Sequence, residues 1–352
     1  MTLNFNFILT LLFFACFIFS LVINYILLKF AQTLGIRNKD SQQIRWNPNA
    51  KPSLGGISFY LIFLVAFIFA ILSPHSNTNY NLPMIGILIA ITLAFLMGLA
   101  DDAFNTQPLL KFLTQLICAL ILIFSGHSVS IFQNQFINYF ITIIWVIGIM
   151  NSVNMLDNMD GITSIVSMVI CIFMVTINIT LLQANNYSTI LSLGIIGALC
   201  GFLVFNFHPS KMFMGDTGSQ FLGLFLSVIG VDNCWNSTLT QQTNYPPQFV
   251  NILIVILVFI LPLTDTFTVV INRLKAGKSP FIGGKDHTTH HLFFKGITEK
   301  RIAILFFTIN VISIFFAYNL IINYSAILFY SSIAYALLVS VSLYLNTIIK
   351  KR

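Results

Sequence analysis

Four polar side chains stand at three-residue intervals, Asn151, Asn154, Asp157 and Asp160, between two long apolar segments of the chain. On a helix with 3.6 residues per turn, these positions fan over about half of the cylinder. A polar half-face at the end of a membrane helix is costly unless it meets water, a metal ion or a polar ligand. A solvated loop is the simpler interpretation, but the spacing favours a binding site for a nucleotide, a metal ion or both.

Two further motifs carry carboxylates beside apolar segments. The adjacent Asp101 and Asp102 repel each other unless a cation bridges them or one is protonated. Magnesium suits them, because hard oxygen ligands are its usual partners, and one carboxylate could bind it while the other accepts a proton. Asp216 lies in the sequence Gly-Asp-Thr-Gly-Ser at the start of a predicted helix, where the backbone could approach a phosphate or a metal ion closely. Helix capping is the alternative for each of these positions.

Basic residues and histidines supply the opposite charge. Arg45 and Lys51 precede Gly55 and Gly56, whose amides at a helix start could approach a phosphate, although basic residues there also serve as topology anchors. A second basic segment, 273–301, contains a histidine cluster. The cluster and its neighbours, predicted to form a wall that binds a diphosphate, are His287, His290, His291, Lys285, Lys295 and Arg273. Zinc is disfavoured there, because a zinc site needs more ligands at matched spacing.

The composition places these motifs in a membrane protein. The chain has 352 residues, of which 57% are hydrophobic and only 8% charged, whereas soluble domains carry about 25% charged residues. The net charge of +7 favours anionic partners such as lipid headgroups or phosphorylated substrates. Nucleic acid is excluded as a partner, because no soluble basic face is available to bind it. The five cysteines are scattered without a Cys-x-x-Cys pair, so they indicate neither disulfides nor zinc.

The apolar segments predict an all-α, polytopic bundle of about eleven transmembrane helices, which forms a single membrane-embedded domain over residues 1–352. The predicted helices cover residues 5–30, 54–73, 83–100, 109–125, 136–150, 162–182, 189–206, 219–231, 249–271, 302–322 and 326–349. With the N-terminus outside, every one of the 17 Lys and Arg residues lies in an inside loop or at the inside edge of a helix. The C-terminus is then cytoplasmic. Among the acidic residues only Asp232 lies outside, and Asp265 lies within a helix near its inside end, where it either pairs with Arg273 or a lysine or contributes to the site.

These motifs resemble those of the polyprenyl-phosphate N-acetylhexosamine-1-phosphate transferases, a family that includes the phospho-N-acetylmuramoyl-pentapeptide transferases. The resemblance extends from about Pro52 to Lys295. It rests on GLADD (98–102), NSVNMLDNMDG (151–161), FMGDTGSQFLG (213–223), PLTDTF followed by Arg273, Gly277 and SPF (262–281), and DHTTHH (286–291). It implies that the protein transfers a sugar 1-phosphate, N-acetylglucosamine 1-phosphate in the branch we favour, from a UDP-sugar to undecaprenyl phosphate and releases UMP. It also implies a magnesium cofactor, with manganese as an alternative, and a site on the cytoplasmic face of the bacterial inner membrane.

The resemblance assigns roles to individual residues. Asp101 and Asp102 resemble the paired aspartates of the family, one of which activates the lipid phosphate, and Asp216 resembles its magnesium ligand, assisted by Asp102. The substrate-binding positions it implies are Asn151, Asn154, Asp157, Asp160, His287, His290, His291 and Lys51. Two departures stand out: Asn158 takes the place of a usual glycine, and the run His-Thr-Thr-His-His replaces three consecutive histidines.

The departure in the histidine run and the number of predicted helices favour the branch that begins surface polysaccharide or cell-wall glycan synthesis over the muramoyl-pentapeptide branch. A transporter is disfavoured, because its carboxylates would lie at mid-membrane rather than in loops at one face. A membrane prenyltransferase would show paired Asp-x-x-x-Asp motifs, which are absent from the sequence. The identity of the UDP-sugar, the polymer and the oligomeric state stay open, with a homodimer among the options.

Overall fold

A computed structural model describes residues 5–33, 51–72, 81–181, 187–238, 245–280 and 283–348. In these ranges the chain is helical and forms no strand, and a single isolated parallel bridge pairs Ser53 with Phe213. The predicted all-α class is therefore confirmed. Arg45 lies outside the described residues.

The structure contains thirteen helices in the described ranges. They are α1 (Phe5–Thr33), α2 (Gly55–Leu72), α3 (Asn81–Phe104), α4 (Pro108–Phe124), α5 (Gln135–Leu156), α6 (Ile162–Thr180), α7 (Tyr187–Asn206), α8 (Gly215–Gly230), α9 (Pro247–Val258), α10 (Ile260–Lys275), α11 (Thr288–Phe294), α12 (Glu299–Ile322) and α13 (Ala326–Ile348). A π-helical turn over Val231–Trp235 directly follows α8.

Eight of the described helices are long and apolar enough to cross a membrane, which confirms a polytopic membrane bundle. The bent pair α9 and α10 would make a ninth span, and α4 and α8 are shorter, with 17 and 16 residues. Each predicted segment coincides with one helix or, in one case, with this pair. The count of about eleven spans and the orientation of the termini stay predictions.

The ninth predicted helix, 249–271, is not continuous. The chain bends by 80° between α9 and α10 at Phe259. Pro262 lies in the first turn of α10, where it has no amide hydrogen and its ring would collide with the carbonyl group four residues earlier. A proline three residues after the bend, inside a long apolar segment, therefore accounts for the break.

The short helix α8 lies in the interior of the bundle. All of its residues from Thr217 to Gly230 are buried, and it packs against α2, α3 and α5. Small residues permit this contact, because an added Cβ atom at Gly56 would lie 2.2 Å from the main-chain nitrogen of Gly218. The N-terminus of α8, which carries Asp216, is thus held by the backbones of its neighbours.

Candidate functional site

The adjacent carboxylates at the end of α3 have different partners. Asp102 accepts hydrogen bonds from the main-chain nitrogens of Asp216 at 3.0 Å and Thr217 at 2.9 Å, and from the Thr217 hydroxyl at 2.6 Å. These are free amides in the first turn of α8, so Asp102 caps that helix from a different segment of the chain. The capping alternative considered for an aspartate pair therefore applies to Asp102.

Two glycines allow this contact. An added Cβ atom at Gly98 would lie 2.3 Å from the carbonyl oxygen of Asp216, and one at Gly215 would lie 2.4 Å from the Asp102 carboxylate. Gly215 also has φ +72°, a backbone conformation that favours glycine. The close approach predicted for the Gly-Asp-Thr-Gly-Ser segment is therefore made, in this structure, to the Asp102 carboxylate.

Asp101 and Asp216 share one cation. The Lys111 ammonium group, from the first turn of α4, lies 3.2 Å from Asp101 and 3.4 Å from Asp216. Asp101 also accepts hydrogen bonds from the main-chain nitrogen and the hydroxyl of Thr106. Because Lys111 contacts both carboxylates, it offsets part of the repulsion between them.

The polar residues at the end of α5 face the same end of α8. Asn154 donates hydrogen bonds to the Asp216 carboxylate and, at 2.8 Å, to the Ser219 hydroxyl. Asn151 donates to Gln115 at 2.8 Å, and Gln115 in turn donates to Gln220 at 3.0 Å. The two asparagines of the predicted binding motif are therefore connected to α4 and α8 by side-chain hydrogen bonds.

The prediction of one continuous polar helix face is wrong for the two aspartates of this motif. Helix α5 ends at Leu156, Asp157 follows as its C-cap, and Asp160 lies in the turn before α6. Gly161 closes that turn with φ +76°. Burial, and then the charges of Asp216 and Asp102, raise the pKa of Asp157 to about 7.

Asp160 is buried and anchors the segment before α8. It accepts hydrogen bonds from the main-chain nitrogen of Ser210 at 2.9 Å and from the Ser210 hydroxyl at 2.8 Å. The predicted binding residue Lys51 donates to the same hydroxyl at 2.8 Å, and its ammonium group lies 3.7 Å from Asp160. Lys51 and Asp160 are therefore neighbours at one edge of the site.

Asp160 also belongs to a group that the sequence did not indicate. The Nδ1 atom of His208 lies 3.4 Å from Asp160 and 2.7 Å from Glu299, the first residue of α12. One ligand atom from each of the three residues lies within 4.8 Å of the others, a spacing that could hold a metal ion. The group joins the segment before α8 to α12.

The predicted amide site at the start of α2 is wrong. The amides of Gly55 and Gly56 donate to the carbonyl oxygens of Phe213 and Met214 at 3.1 and 3.0 Å, so they are not available to a phosphate. The same pairing aligns the segment after Lys51 with the segment before Asp216. This contact places two predicted motifs side by side through main-chain bonds alone.

The predicted basic wall around the histidines is also wrong in two of its members. Arg273 forms a two-point ion pair with Asp286 at 2.7 and 2.8 Å and also donates to the carbonyl oxygen of Pro280. Lys295 donates to the carbonyl oxygen of Asn346 at the end of α13. Both side chains therefore stabilise the loop and its contacts, and Arg273 is buried.

Among the described residues, Asp265 pairs with neither Arg273 nor a lysine. It accepts hydrogen bonds from the main-chain nitrogen and hydroxyl of Thr288 at 2.8 and 2.6 Å, and it lies 2.8 Å from Nδ1 of His287. Asp265 therefore fixes the start of α11 against α10.

The three histidines differ in exposure and partners. His287 and His290 are buried and their rings lie 5.3 Å apart, whereas His291 is partly exposed. The Nε2 atom of His290 lies 3.3 Å from the carbonyl oxygen of Asn158. Burial, and then the neighbouring His287, lower the pKa of His290 to about 4, so its imidazole is neutral at pH 7. The histidine motif thus contacts the 151–161 segment.

Four segments far apart in sequence therefore meet at one end of the bundle: the end of α3, the segment 151–161, the start of α8 and the start of α11. They bring together carboxylates, amide side chains, lysines and a neutral imidazole. Such a set suits the binding of a phosphorylated ligand and a hard divalent cation. Sequence reasoning assigned no role to Lys111, Gln115 or His208, because each gains its meaning only from its partners in space.

Comparison with known proteins agrees with this site. Residues 84–233 match the model of glycosyl transferase family 4. The matched region runs from α3 to the π-helical turn and contains Asp101, Asp102, Asp216 and the whole 151–161 segment.

Related proteins match over longer stretches. A probable undecaprenyl-phosphate N-acetylglucosaminyl 1-phosphate transferase of Bacillus subtilis is 26% identical over 302 residues, 83% of this chain and 79% of that protein. A decaprenyl-phosphate N-acetylglucosaminephosphotransferase of Mycolicibacterium smegmatis is 25% identical over 280 residues, 73% of this chain and 68% of that protein. A phospho-N-acetylmuramoyl-pentapeptide-transferase of Streptococcus uberis is 30% identical over 200 residues, but this match covers only 51% of the chain and 58% of that protein. The family resemblance predicted from the motifs is confirmed.

Proposed function

We propose that this relative of the polyprenyl-phosphate N-acetylhexosamine-1-phosphate transferases moves N-acetylglucosamine 1-phosphate from its UDP derivative to undecaprenyl phosphate and releases UMP. The observation that carries the proposal is the meeting of Asp101, Asp102, Asp216 and the 151–161 segment inside the region that matches the family model. The reaction would start the synthesis of a surface polysaccharide or cell-wall glycan. We place it at the cytoplasmic face of the bacterial inner membrane, where the basic loops are predicted to lie.

The donor set fits magnesium. Asp101 and Asp216 both contact the Lys111 ammonium group, which shows that the two carboxylates can share a positive charge. The pKa of Asp157 is raised partly by the charges of Asp216 and Asp102, and a bound cation would relieve that repulsion. Asp216 is the proposed principal ligand. Asp101 is better placed than Asp102 as the second oxygen donor, because one of its oxygens contacts Lys111, the cation that it shares with Asp216, whereas both oxygens of Asp102 accept hydrogen bonds from the first turn of α8.

When bound, magnesium would neutralise phosphate charge on the sugar donor. The protein's own residues would bind and orient the two substrates and accept a proton from the lipid phosphate. Lys111 and Lys51 supply positive charge at two edges of the site, and Asn151 and Asn154 supply amide groups on the nucleotide side. A carboxylate of the Asp101–Asp102 pair accepts the proton of the lipid phosphate. An oxygen of the lipid phosphate then attacks the phosphorus that carries the sugar, and the bond from that phosphorus to UMP breaks.

The test uses purified protein in detergent with undecaprenyl phosphate and magnesium. UDP-N-acetylglucosamine and UDP-N-acetylmuramoyl-pentapeptide are supplied separately, and UMP release is measured. We expect release with the first donor and none after chelation of the metal by EDTA. Release with the second donor alone would assign the protein to peptidoglycan synthesis, the alternative that its shorter match to the Streptococcus uberis enzyme keeps open. No UMP release with either donor, in a preparation that is folded, would contradict the proposal.

A further inference from the structure

Asn158 joins two motifs that are 131 residues apart in sequence. Its side-chain oxygen accepts a hydrogen bond from the Thr289 hydroxyl at 2.5 Å, and its side-chain nitrogen donates to the carbonyl oxygen of Met155 at 2.9 Å. Its own carbonyl oxygen lies 3.3 Å from Nε2 of His290. One residue of the 151–161 segment therefore contacts two consecutive residues of α11.

Helix α11 depends on such contacts for its position. It has seven residues, too few for a stable isolated helix, because the cost of fixing the first turn is recovered only over longer segments. Asp265 fixes its start through Thr288 and His287. The Asn158 contacts provide a second anchor, on the side that faces the proposed nucleotide motif.

The second anchor also determines the chemistry that His290 offers. A neutral imidazole has one nitrogen that donates and one that accepts, and the partner of one nitrogen selects the tautomer. When Nε2 donates to the Asn158 carbonyl oxygen, Nδ1 is the acceptor. The orientation and the tautomer of His290 thus both depend on where Asn158 holds α11.

We propose that Asn158 and Thr289 form a clasp that positions His290 against the nucleotide side of the active site. Both are positioning residues: they act on the UDP-sugar through His290 and do not themselves take part in the reaction. The clasp rests on the proposed transferase function and adds two residues to which that function assigns no role. Thr289 is fully buried, so removing its hydroxyl leaves the side chain of Asn158 without this partner.

The experiment compares steady-state kinetics of full-length protein in detergent for Thr289→Val, Asn158→Ala and the double variant. Valine keeps the shape of threonine without its hydroxyl. We expect each single variant to lose about tenfold in kcat/KM for UDP-N-acetylglucosamine, the loss typical of one buried hydrogen bond, with KM for undecaprenyl phosphate unchanged. The double variant should lose little more than Asn158→Ala, because that substitution already removes the contact that Thr289→Val removes. Thr289→Ser keeps the hydroxyl and should therefore have the kcat/KM of the unmodified protein.

A matched control is Thr308→Val in α12, whose exposed hydroxyl donates to a carbonyl of its own helix. It should behave as the unmodified protein. Unchanged kinetics in Thr289→Val, or multiplicative losses in the double variant, would overturn the clasp. So would equal losses for both substrates accompanied by a lower melting temperature, since these would indicate a purely structural role. Absence of UMP release from the unmodified protein would instead contradict the proposed function.

Discussion

At the scale of single residues, the two aspartates that meet at the start of α8 perform different tasks. Asp102 accepts hydrogen bonds from amides of that helix, whereas the Asp216 carboxylate contacts the side chains of Lys111 and Asn154. A carboxylate that caps a helix stabilises the fold whether or not substrate is present. Substitution of these two residues should therefore have different effects on stability.

The first prediction is that Asp102→Asn reduces both stability and turnover, whereas Asp216→Asn abolishes turnover with little loss of stability. An asparagine at 102 keeps only one accepting oxygen, and hydrogen bonds to a charged group contribute about 2 kcal/mol each. Melting temperature in detergent and UMP release should be measured on the same preparations. Equal melting temperatures for the two variants would contradict the capping role of Asp102, and normal turnover of Asp216→Asn would contradict its assignment as a magnesium ligand.

The sequence identified most of the site at this scale but not the partners of its residues. The sequence revealed the main acidic residues because charged groups are rare in an apolar chain, and placing them in or beside a membrane costs free energy that a function must justify. These are Asp101, Asp102, Asp216 and the two aspartates of the 151–161 segment. Partner choice depends on distances in space, so the sequence could not reveal that Arg273 pairs with Asp286 or that Lys111 lies between two carboxylates. The departures at Asn158 and in the His-Thr-Thr-His-His run were visible separately, and the structure shows that they touch through Thr289.

At the scale of the helices, hydropathy predicted nearly every helix but neither the bend between α9 and α10 nor the end of α5. Long apolar segments predicted the helices well because burial in lipid requires each backbone group to be satisfied within the segment. Hydropathy does not reveal a bend such as that at Phe259, since apolar residues continue on both sides of it. The end of α5 at Leu156 was missed for the opposite reason: the three-residue polar spacing of the motif suited a helix, but the chain turns there.

Our second prediction concerns the contact between α3 and α8. Gly98→Ala should lower turnover at least tenfold and reduce stability, because its Cβ atom would lie 2.3 Å from the Asp216 carbonyl oxygen and would move the start of α8. Overpacking of this kind typically costs about 1–3 kcal/mol. UMP release and melting temperature should be measured together.

The control for that substitution is Gly148→Ala in α5. Nothing lies within 4 Å of the added Cβ atom there, and alanine favours a helix more than glycine does. This variant should therefore be as active as the unmodified protein and at least as stable. If Gly98→Ala behaves like Gly148→Ala, close packing of α3 on α8 does not position Asp216.

At the scale of the whole molecule, the polar residues divide between the two ends of the bundle. Asp216 lies in the first turn of α8 and Asp232 lies just after its end, so about 24 Å of helix separates them at 1.5 Å per residue. Asp232 contacts His127, from the loop after α4, and the Tyr187 hydroxyl at the start of α7. Burial alone would lower the pKa of His127, but the Asp232 charge raises it above its usual value. The end opposite the site therefore has its own ion pair.

This division of the polar residues allows a direct test of the predicted orientation. Gln133 lies exposed in the loop after α4, at the Asp232 end, and Lys278 lies exposed in the loop after α10, at the site end. Gln133→Cys should react with a membrane-impermeant maleimide in spheroplasts, whereas Lys278→Cys should react only after permeabilisation. The native cysteines give a low background in the parent protein, since four are buried and one is partly buried. The reverse labelling pattern would place the site outside, where nucleotide-activated sugars are not supplied, and would contradict the proposed function. Labelling of both positions from one side would show instead that the number of spans between them is even, and would contradict the predicted alternation of the helices.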